Sequence, residues 1–131
     1  TGCSSNEETC LLMTMGIQGI GVDIIEIKRI EKSIKRFGQN FLNHVFTENE
    51  IAYVKTHKFP NQHYAVRFAA KEAVYKALGL KDVSWKNIEI LNDKEGRPYC
   101  RFLNKKIQKK VFISLSHSEH YAVANAVVSS K

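Results

Sequence analysis

The stretch that decides the fold is NQHYAVRFAAKEAVYKAL, residues 61–78, which is followed at once by Gly79. Its apolar residues recur at helical spacing, so the sequence predicts one long helix. Gly79 is predicted to close this helix, because glycine adopts the left-handed conformation of a C-terminal cap easily. Apolar residues surround most of the helical wheel, which is typical of a buried helix.

Glu72 is the unusual residue of this helix, because a buried carboxylate is costly unless it is paired or bound to a metal. Lys76 follows one turn later, so a structural ion pair is one interpretation. The other interpretation makes Glu72 a ligand for a hard cation, with basic residues beside it as anion-binding groups. These basic residues are Arg67, Lys71 and Lys76. The helix alone leaves both interpretations open.

The segment before this helix begins with GIQGIGV, residues 16–22, which predicts a strand broken by glycines. Asp23 follows it at a predicted helix N-cap. Isoleucines at helical spacing then predict an amphipathic helix over residues 24–36, ended by Gly38. The opposite face of this helix is basic and carries Lys28, Arg29, Lys32, Lys35 and Arg36. An N-cap is the simpler interpretation of Asp23, since the glycines match neither a dinucleotide-binding motif nor a P-loop.

The remaining segments predict one further helix and two hairpins. Thr47 and Glu50 form a capping box that opens a short helix to about residue 57, and Phe59-Pro60 breaks it. Residues 88–92 and 98–103 flank one turn, and 111–116 and 121–128 flank a tighter one. The order of a strand, three helices and then hairpins predicts an α+β fold, with an antiparallel sheet packed against helices.

Composition limits the class of protein. The chain has 131 residues with 20 Lys+Arg against 13 Asp+Glu, a net charge of +7. We expect a single domain over residues 16–131, after an N-terminal tail, 1–15, of processed or added residues. No apolar run reaches the roughly 20 residues of a membrane span. The charge favours an anionic partner: nucleic acid, membrane surface, phosphorylated small molecule or acidic protein. The odd count of three cysteines favours a reducing compartment.

The polar cluster near the last turn contains Ser114, Ser116, His117 and Ser118. A serine–histidine nucleophile pair is one interpretation. Neighbouring residues of a strand point to opposite faces, however, so Ser114 and Ser116 share a face and His117 points away from them. A hydrogen-bonded hairpin end is the simpler interpretation.

Four segments of the chain carry a family resemblance. They are GIGVDIIEIKRI (19–30), FTENE (46–50), RFAAKEAVYKAL (67–78) and SLSHSEHYAVANAVV (114–128). In this order they resemble the holo-acyl-carrier-protein synthases, the small 4′-phosphopantetheinyl transferases, over about residues 16–128. The resemblance implies the fold of these transferases. It also implies an enzyme of fatty acid biosynthesis that transfers the 4′-phosphopantetheine arm of coenzyme A to a serine of apo-acyl carrier protein, with Mg²⁺, releasing adenosine 3′,5′-bisphosphate.

The resemblance also implies roles for particular residues. Asp23 and Glu72 are similar to the metal ligands, and both, with Lys76, are expected to be catalytic. Lys76 is similar to the residue that contacts the pyrophosphate of coenzyme A. The cofactor-binding set is Arg67, Lys71, Lys76, Ser116 and His117, of which Arg67 and His117 resemble residues lining the nucleotide and its 3′-phosphate.

Partners and location also follow from the resemblance. The helix after Asp23 is expected to dock the acidic carrier protein through Lys28, Arg29, Lys32 and Arg36. The family implies a homotrimer with active sites between subunits, no nucleic-acid or membrane partner, and a cytoplasmic location. A plastid or similar organelle is the alternative location if the N-terminus is a trimmed transit peptide.

Two functional questions stay open in the sequence. The general base for the carrier serine is not identified; a metal-bound water and a carboxylate near Asp23 are both possible. The rival function is a small basic RNA-binding module. That rival predicts aromatic residues interleaved with Lys and Arg on a sheet, for which YCRFL, residues 99–103, is the one hint.

Overall fold

The computed structural model describes residues 16–80 and 84–130. The predictions for residues 1–15, including the tail and its two cysteines, lie outside this part of the chain. The strands are β1 (Ile17–Glu26), β2 (Ile88–Asn92), β3 (Pro98–Phe102), β4 (Lys109–His117) and β5 (Tyr121–Ser130). The helices are α1 (Ile27–Phe37), α2 (Gln39–Val45), α3 (Glu48–Lys55) and α4 (Pro60–Leu78), with a 3₁₀ turn at Trp85–Asn87.

The main sheet has three antiparallel strands in the order β1-β5-β4. Alternate residues of β5 are buried on the inner side of the sheet, where they face α4. They are Ala122, Ala124, Ala126 and Val128. The two layers lie very close together, because a Cβ atom at Gly21 would sit 2.0 Å from the carbonyl oxygen of Ala73. At Gly19 the same atom would sit 1.8 Å from the carbonyl oxygen of Ala77. The glycines that break the strand pattern therefore admit the backbone of α4.

Helix α4 confirms the long buried helix predicted from the sequence. It ends at Leu78, and Gly79 caps it with φ of 66°, in the left-handed region. Ten of its residues are buried, including Arg67 and Lys71. The capping box at the start of α3 is also present, since the Thr47 hydroxyl accepts from the Glu50 amide and the Glu50 carboxylate accepts from the Thr47 amide.

The prediction for Asp23 as a helix N-cap is wrong. Strand β1 continues through it to Glu26, and Asp23 pairs with Ala124 of β5. Residues 20–25 alternate between the two faces of the sheet, so Ile24 is 62% exposed on the outer face and does not extend the stripe of α1. Helix α1 begins at Ile27, three residues later than predicted, and ends at Phe37, with Gly38 as its C-terminal cap as predicted. Helix α2, between Gly38 and the capping box, was not among the predicted helices.

The β2–β3 hairpin is fixed to the helices by a buried polar network. Glu50 accepts from the amide of Ile90 at 2.8 Å and from the ammonium of Lys71 at 2.7 Å. Glu89 accepts from the Thr47 hydroxyl at 2.5 Å and from Arg101 at 2.6 Å. Both carboxylates are at most 1% exposed, and all four of their oxygens have donors, as buried charges require.

The outer face of the main sheet carries exposed apolar side chains. Ile20, Val22 and Ile24 of β1 are 70%, 55% and 62% exposed, and Phe112 of β4 is 53% exposed. A row of this kind on one sheet face is typical of a surface that another chain covers. Among residues 16–80 and 84–130, no helix is long and apolar enough to cross a bilayer. The helices and antiparallel strands confirm the predicted α+β class.

Candidate active site

Asp23 and Glu72 line one cavity of about 300 Å³. Asp23 projects from the inner face of β1, because it alternates with the buried residues Gly21 and Ile25. Glu72 projects from the middle of α4, which crosses that face. The remaining lining comes mainly from α1, α2 and α4, with Arg29 and Ser33 as polar residues and Ile30, Phe41 and Phe68 as apolar ones.

Lys76 pairs with Asp23 rather than with Glu72. Its ammonium donates to a carboxylate oxygen of Asp23 at 3.1 Å and to the carbonyl oxygen of Val22 at 3.2 Å. The Lys76 side chain is 55% exposed and that of Asp23 is 18% exposed, so the pair lies at the edge of the cavity. The structure therefore does not contain the buried Glu72–Lys76 pair that was one interpretation of the helix.

The environment of Glu72 suits a ligand for a cation. Burial raises the pKa of Glu72, and the negative charge of Asp23 raises it further, while Lys76 lowers it. Two carboxylates that repel each other in one cavity are stabilised by a bound cation. Mg²⁺ prefers oxygen ligands and takes only one or two carboxylates, with water and phosphate oxygens completing its shell. Within the described ranges no cluster of three or more His, Cys, Asp or Glu residues could hold a metal ion.

Lys71 does not reach this cavity, which corrects its expected role in cofactor binding. Its ammonium is fully buried and donates to Glu50 at 2.7 Å, to the carbonyl oxygen of Val45 at 2.7 Å and to that of Trp85 at 3.0 Å. All three donors of the ammonium are thus used inside the core. Lys71 lies about 100° around α4 from Glu72, on the side that faces α3.

Arg67 and His117 lie on the far side of α4 from the two carboxylates. Arg67 is about 140° around the helix from Glu72. It donates to Asn92 at 2.6 Å and to the carbonyl oxygen of His63 at 3.3 Å, and it stacks over Tyr53. His117 projects from the inner face of β4, at the opposite edge of the sheet from β1. One chain therefore does not bring these two residues to the cavity of Asp23 and Glu72.

Two further histidines lie beside Arg67 that sequence reasoning left as ordinary surface or core residues. The rings of His57 and His63 are 4.1 Å apart, and Arg67 and His117 are close enough to His63 to lower its pKa. His63 precedes Arg67 by one helical turn, and this spacing is the feature of the sequence that could have predicted their proximity. His57 lies two residues after the end of α3, and its proximity to His63 depends on how the end of α3 packs against α4.

The serines near the last turn behave as the hairpin interpretation expects. The register of β4 and β5 places Ser114 and Ser116 on the outer face, with His117 on the inner face. Ser118 holds the turn, since its amide donates to the carbonyl oxygen of Tyr121 and its hydroxyl accepts from the Tyr121 amide. Ser116 therefore lies on the exposed apolar face of the sheet and away from the cavity of its own chain.

The basic face of α1 is exposed as the sequence predicts. Lys28, Arg29, Lys32 and Arg36 are all exposed. Arg29 also lines the cavity of Asp23 and Glu72. The basic surface and the carboxylate site are therefore continuous, so a protein docked on α1 has its nearest residues beside the two carboxylates.

Residues 19–126 match the family model of the 4′-phosphopantetheinyl transferase superfamily. The chain belongs to this superfamily. Among its relatives, the holo-[acyl-carrier-protein] synthase of Protochlamydia amoebophila (strain UWE25) is 53% identical over 119 residues, which cover 86% of this chain and 98% of that protein. The synthase of Thermodesulfovibrio yellowstonii is 48% identical with the same coverage.

Solved structures of the family share the fold. A holo-(acyl-carrier-protein) synthase from Bacillus anthracis, in complex with CoA (3′,5′-ADP), is 40% identical with a TM-score of 0.78, over 88% of this chain and 99% of that one. The synthase of Helicobacter pylori in complex with coenzyme A is 34% identical with a TM-score of 0.76, over 84% of this chain and 99% of that one. These matches confirm the transferase fold and the family resemblance found in the sequence.

The rival interpretation as an RNA-binding module is not supported. The comparisons lead to transferases, and the segment that hinted at RNA binding is built into the structure. Within YCRFL, Arg101 pairs with the buried carboxylate of Glu89 at 2.6 Å. In the part of the chain that the structure describes, its strand pairs with β2 in a two-stranded sheet, which is narrow for stacking bases.

Proposed function

We propose that this chain is a holo-[acyl-carrier-protein] synthase that transfers the 4′-phosphopantetheine group of coenzyme A to a serine hydroxyl of apo-acyl carrier protein. The serine oxygen bonds to the phosphorus that carries the arm, the phosphoanhydride bond breaks, and adenosine 3′,5′-bisphosphate leaves. The product serves fatty acid biosynthesis. The observation that carries the proposal is the cavity lined by Asp23 and Glu72, with Lys76 paired to Asp23, in a chain of this family.

Asp23 and Glu72 are the residues that would hold Mg²⁺. When bound, the ion supplies positive charge that offsets the charge of the pyrophosphate and of the departing bisphosphate. The two carboxylates come from different layers, β1 and α4, which the glycine contacts hold together. The site is therefore fixed before substrate arrives, which reduces the entropy cost of ordering it.

Lys76 would contact the pyrophosphate. Its ammonium is held at 3.1 Å from Asp23, and its side chain is 55% exposed, so it can donate to a phosphate oxygen without leaving its partner. A positioned ammonium stabilises the negative charge that develops on the leaving bisphosphate. The adjacent pairing with Asp23 sets the direction of the side chain.

The carrier protein would dock on the basic face of α1. Lys28, Arg29, Lys32 and Arg36 present a charge complementary to an acidic protein, and such charge speeds encounter and fixes orientation. Arg29 connects this face to the cavity. A serine placed there is near the two carboxylates, as the transfer requires.

The complete site would form between chains of a homotrimer. The exposed apolar side chains of the outer sheet face supply a surface for assembly, and Ser116 lies on that face. Helix α4 separates Arg67 and His117 from Glu72 within one chain, so the nucleotide half of one chain would serve the carboxylate half of its neighbour. We include the expected cytoplasmic location in this proposal, since the relatives are bacterial proteins.

Glu72→Gln tests the activity. The protein is incubated with coenzyme A, Mg²⁺ and apo-acyl carrier protein, and mass spectrometry detects the added arm. The wild type is expected to transfer it, and Glu72→Gln to lose at least about 100-fold in rate because a carboxylate ligand is gone. Glu48→Gln, an exposed change on α3, is the matched control and should keep full activity. A variant at Glu72 that folds and transfers at the wild-type rate would reject the metal assignment, and a wild type that adds no arm would reject the function.

A further inference from the structure

Tyr75 carries a buried hydroxyl that has no hydrogen-bond partner within residues 16–80 and 84–130. The residue is half-buried on α4, and its ring is well packed, since it meets the ring of Trp85 edge to face at 5.6 Å. A buried hydroxyl without a partner is costly, so its presence in a native fold calls for an explanation. Packing accounts for the ring of Tyr75 but not for its hydroxyl.

Glu72 has the complementary deficiency. Its carboxylate accepts no hydrogen bond and forms no ion pair with any described residue, because the ammonium of Lys76 donates to Asp23 instead. Carboxylates that bind a metal are usually held in orientation by a further hydrogen bond. Of the two carboxylates of the cavity, Glu72 is the one that lacks this support.

Helix α4 brings the hydroxyl and the carboxylate to the same side. Tyr75 follows Glu72 by three residues, about 60° around the helix, and a long side chain on a helix leans back over the residues three and four positions before it. Burial and the nearby charge of Glu72 raise the pKa of Tyr75 to about 12, so the phenol keeps its proton and can act as a donor. Glu72 lines the cavity and Tyr75 does not, so Tyr75 stands behind the carboxylate.

Trp85 fixes the position of the Tyr75 ring. Its indole stacks on Phe68 at 4.8 Å and meets Tyr75 at 5.6 Å, so it covers the positions one turn before and one turn after Glu72 on this face of the helix. The terminal torsion of a glutamate is broad, so its carboxylate turns at little cost. The carboxylate is therefore the group that moves when the two meet.

We propose that Tyr75 is a positioning residue for Glu72: when a divalent cation occupies the cavity, the Tyr75 hydroxyl donates a hydrogen bond to the Glu72 carboxylate and fixes its orientation toward the ion. This inference rests on the proposed function, because it takes Glu72 as a ligand of the cation. Tyr75 acts on the ion only through Glu72, so it determines the affinity of the site for the metal and contacts neither substrate.

The test is the binding of Mn²⁺, which replaces Mg²⁺ as a paramagnetic probe, to the full chain without substrates, with the free ion measured by electron paramagnetic resonance. Tyr75→Phe removes only the hydroxyl and keeps the ring against Trp85. We expect it to raise the Kd for Mn²⁺ about tenfold, as is typical when a metal ligand loses its supporting hydrogen bond. Its melting temperature should equal or exceed that of the wild type, because the hydroxyl has no partner in the free protein. Tyr64→Phe, the same change at a buried tyrosine of the same helix, is the control and should bind Mn²⁺ like the wild type.

The coupling to Glu72 distinguishes positioning from a general effect on structure. In a Glu72→Ala background, Tyr75→Phe should change the Kd for Mn²⁺ less than about twofold, since no carboxylate is left to orient. An equal loss of affinity in both backgrounds would overturn the proposal, as would a wild-type Kd in Tyr75→Phe. Glu72→Ala that binds Mn²⁺ like the wild type would reject the metal assignment and the positioning role with it. A wild type whose Mn²⁺ binding depends on Glu72 and Tyr75 but that adds no arm to the carrier protein would reject the proposed function alone.

Discussion

The buried pair of Lys71 and Glu50 offers a stringent test of the core. The two side chains are 0% exposed and their charged atoms lie 2.7 Å apart. Lys71→Met removes one charge and three hydrogen bonds while filling most of the volume. Glu50 would keep the amide donors of Thr47 and Ile90, but its carboxylate would lie in the core without a counter-charge.

Removing one partner of such a pair costs about 3–5 kcal/mol of the free energy of unfolding. Since a domain is stabilised by only about 5–15 kcal/mol, this is a large fraction. It corresponds to a fall of about 10–20 °C in melting temperature for a chain of this size. The double variant Lys71→Met with Glu50→Gln removes both charges, so it should recover about 2 kcal/mol or more of the loss.

Urea unfolding followed by tryptophan fluorescence measures these effects, since Trp85 is the single tryptophan and its carbonyl oxygen accepts from Lys71. Lys76→Met is the matched control: the same substitution on the same helix, where the lysine of the pair with Asp23 is 55% exposed and the pair is worth less than about 1 kcal/mol. The reasoning would be refuted if Lys71→Met unfolded like the wild type. A raised KM for coenzyme A in that stable variant would return Lys71 to the cofactor site.

Two further predictions concern the surfaces of the site. Arg29→Glu with Arg36→Glu should raise the KM for the carrier protein at least about tenfold, because reversed charges repel an acidic partner, and should leave the KM for coenzyme A within about twofold. Lys105→Glu with Lys106→Glu is the control. Equal changes in the two KM values would reject the docking face. Mixing equal amounts of Glu72→Gln and His117→Ala chains after joint refolding should restore about a quarter of wild-type activity, since half the chains supply the carboxylate and half of their neighbours the histidine. Activity no greater than the sum of the separate variants would place the site within one chain.

Local chemistry explains which parts of the fold could be predicted from the sequence. Gly79 and the Thr47–Glu50 capping box are signals that act within a few residues, so both helix ends were predicted correctly. Asp23 was assigned wrongly because Ile24 fits two periods at once: helical spacing with Ile27 and strand alternation with Val22. The strand is formed because β5 pairs with β1 as far as Glu26, a contact with residues about 100 positions away.

Tertiary packing explains which parts of the site could not be predicted. Lys71 and Lys76 are chemically alike and both lie on α4, so the sequence places each beside Glu72. Only the positions of α3 and β1 decide that Lys71 meets Glu50 in the core and that Lys76 meets Asp23 at the cavity. The same limitation applies to His57, which follows α3 in the chain, because its neighbour His63 lies on α4.

The close contact between β1 and α4 links the fold to the division of the site. Because Gly19 and Gly21 let the two backbones touch, the strand and the helix leave no room for even a methyl group between them at these two positions. The carboxylates at Asp23 and Glu72 therefore lie on the opposite side of α4 from Arg67 and His117, and in the proposed function the two sets bind different parts of the donor. Coenzyme A has a pyrophosphate and a 3′-phosphate joined by one nucleotide, and in the proposed trimer a neighbouring chain would bring the two half-sites face to face. The glycines that pack the core therefore also favour a site shared between subunits.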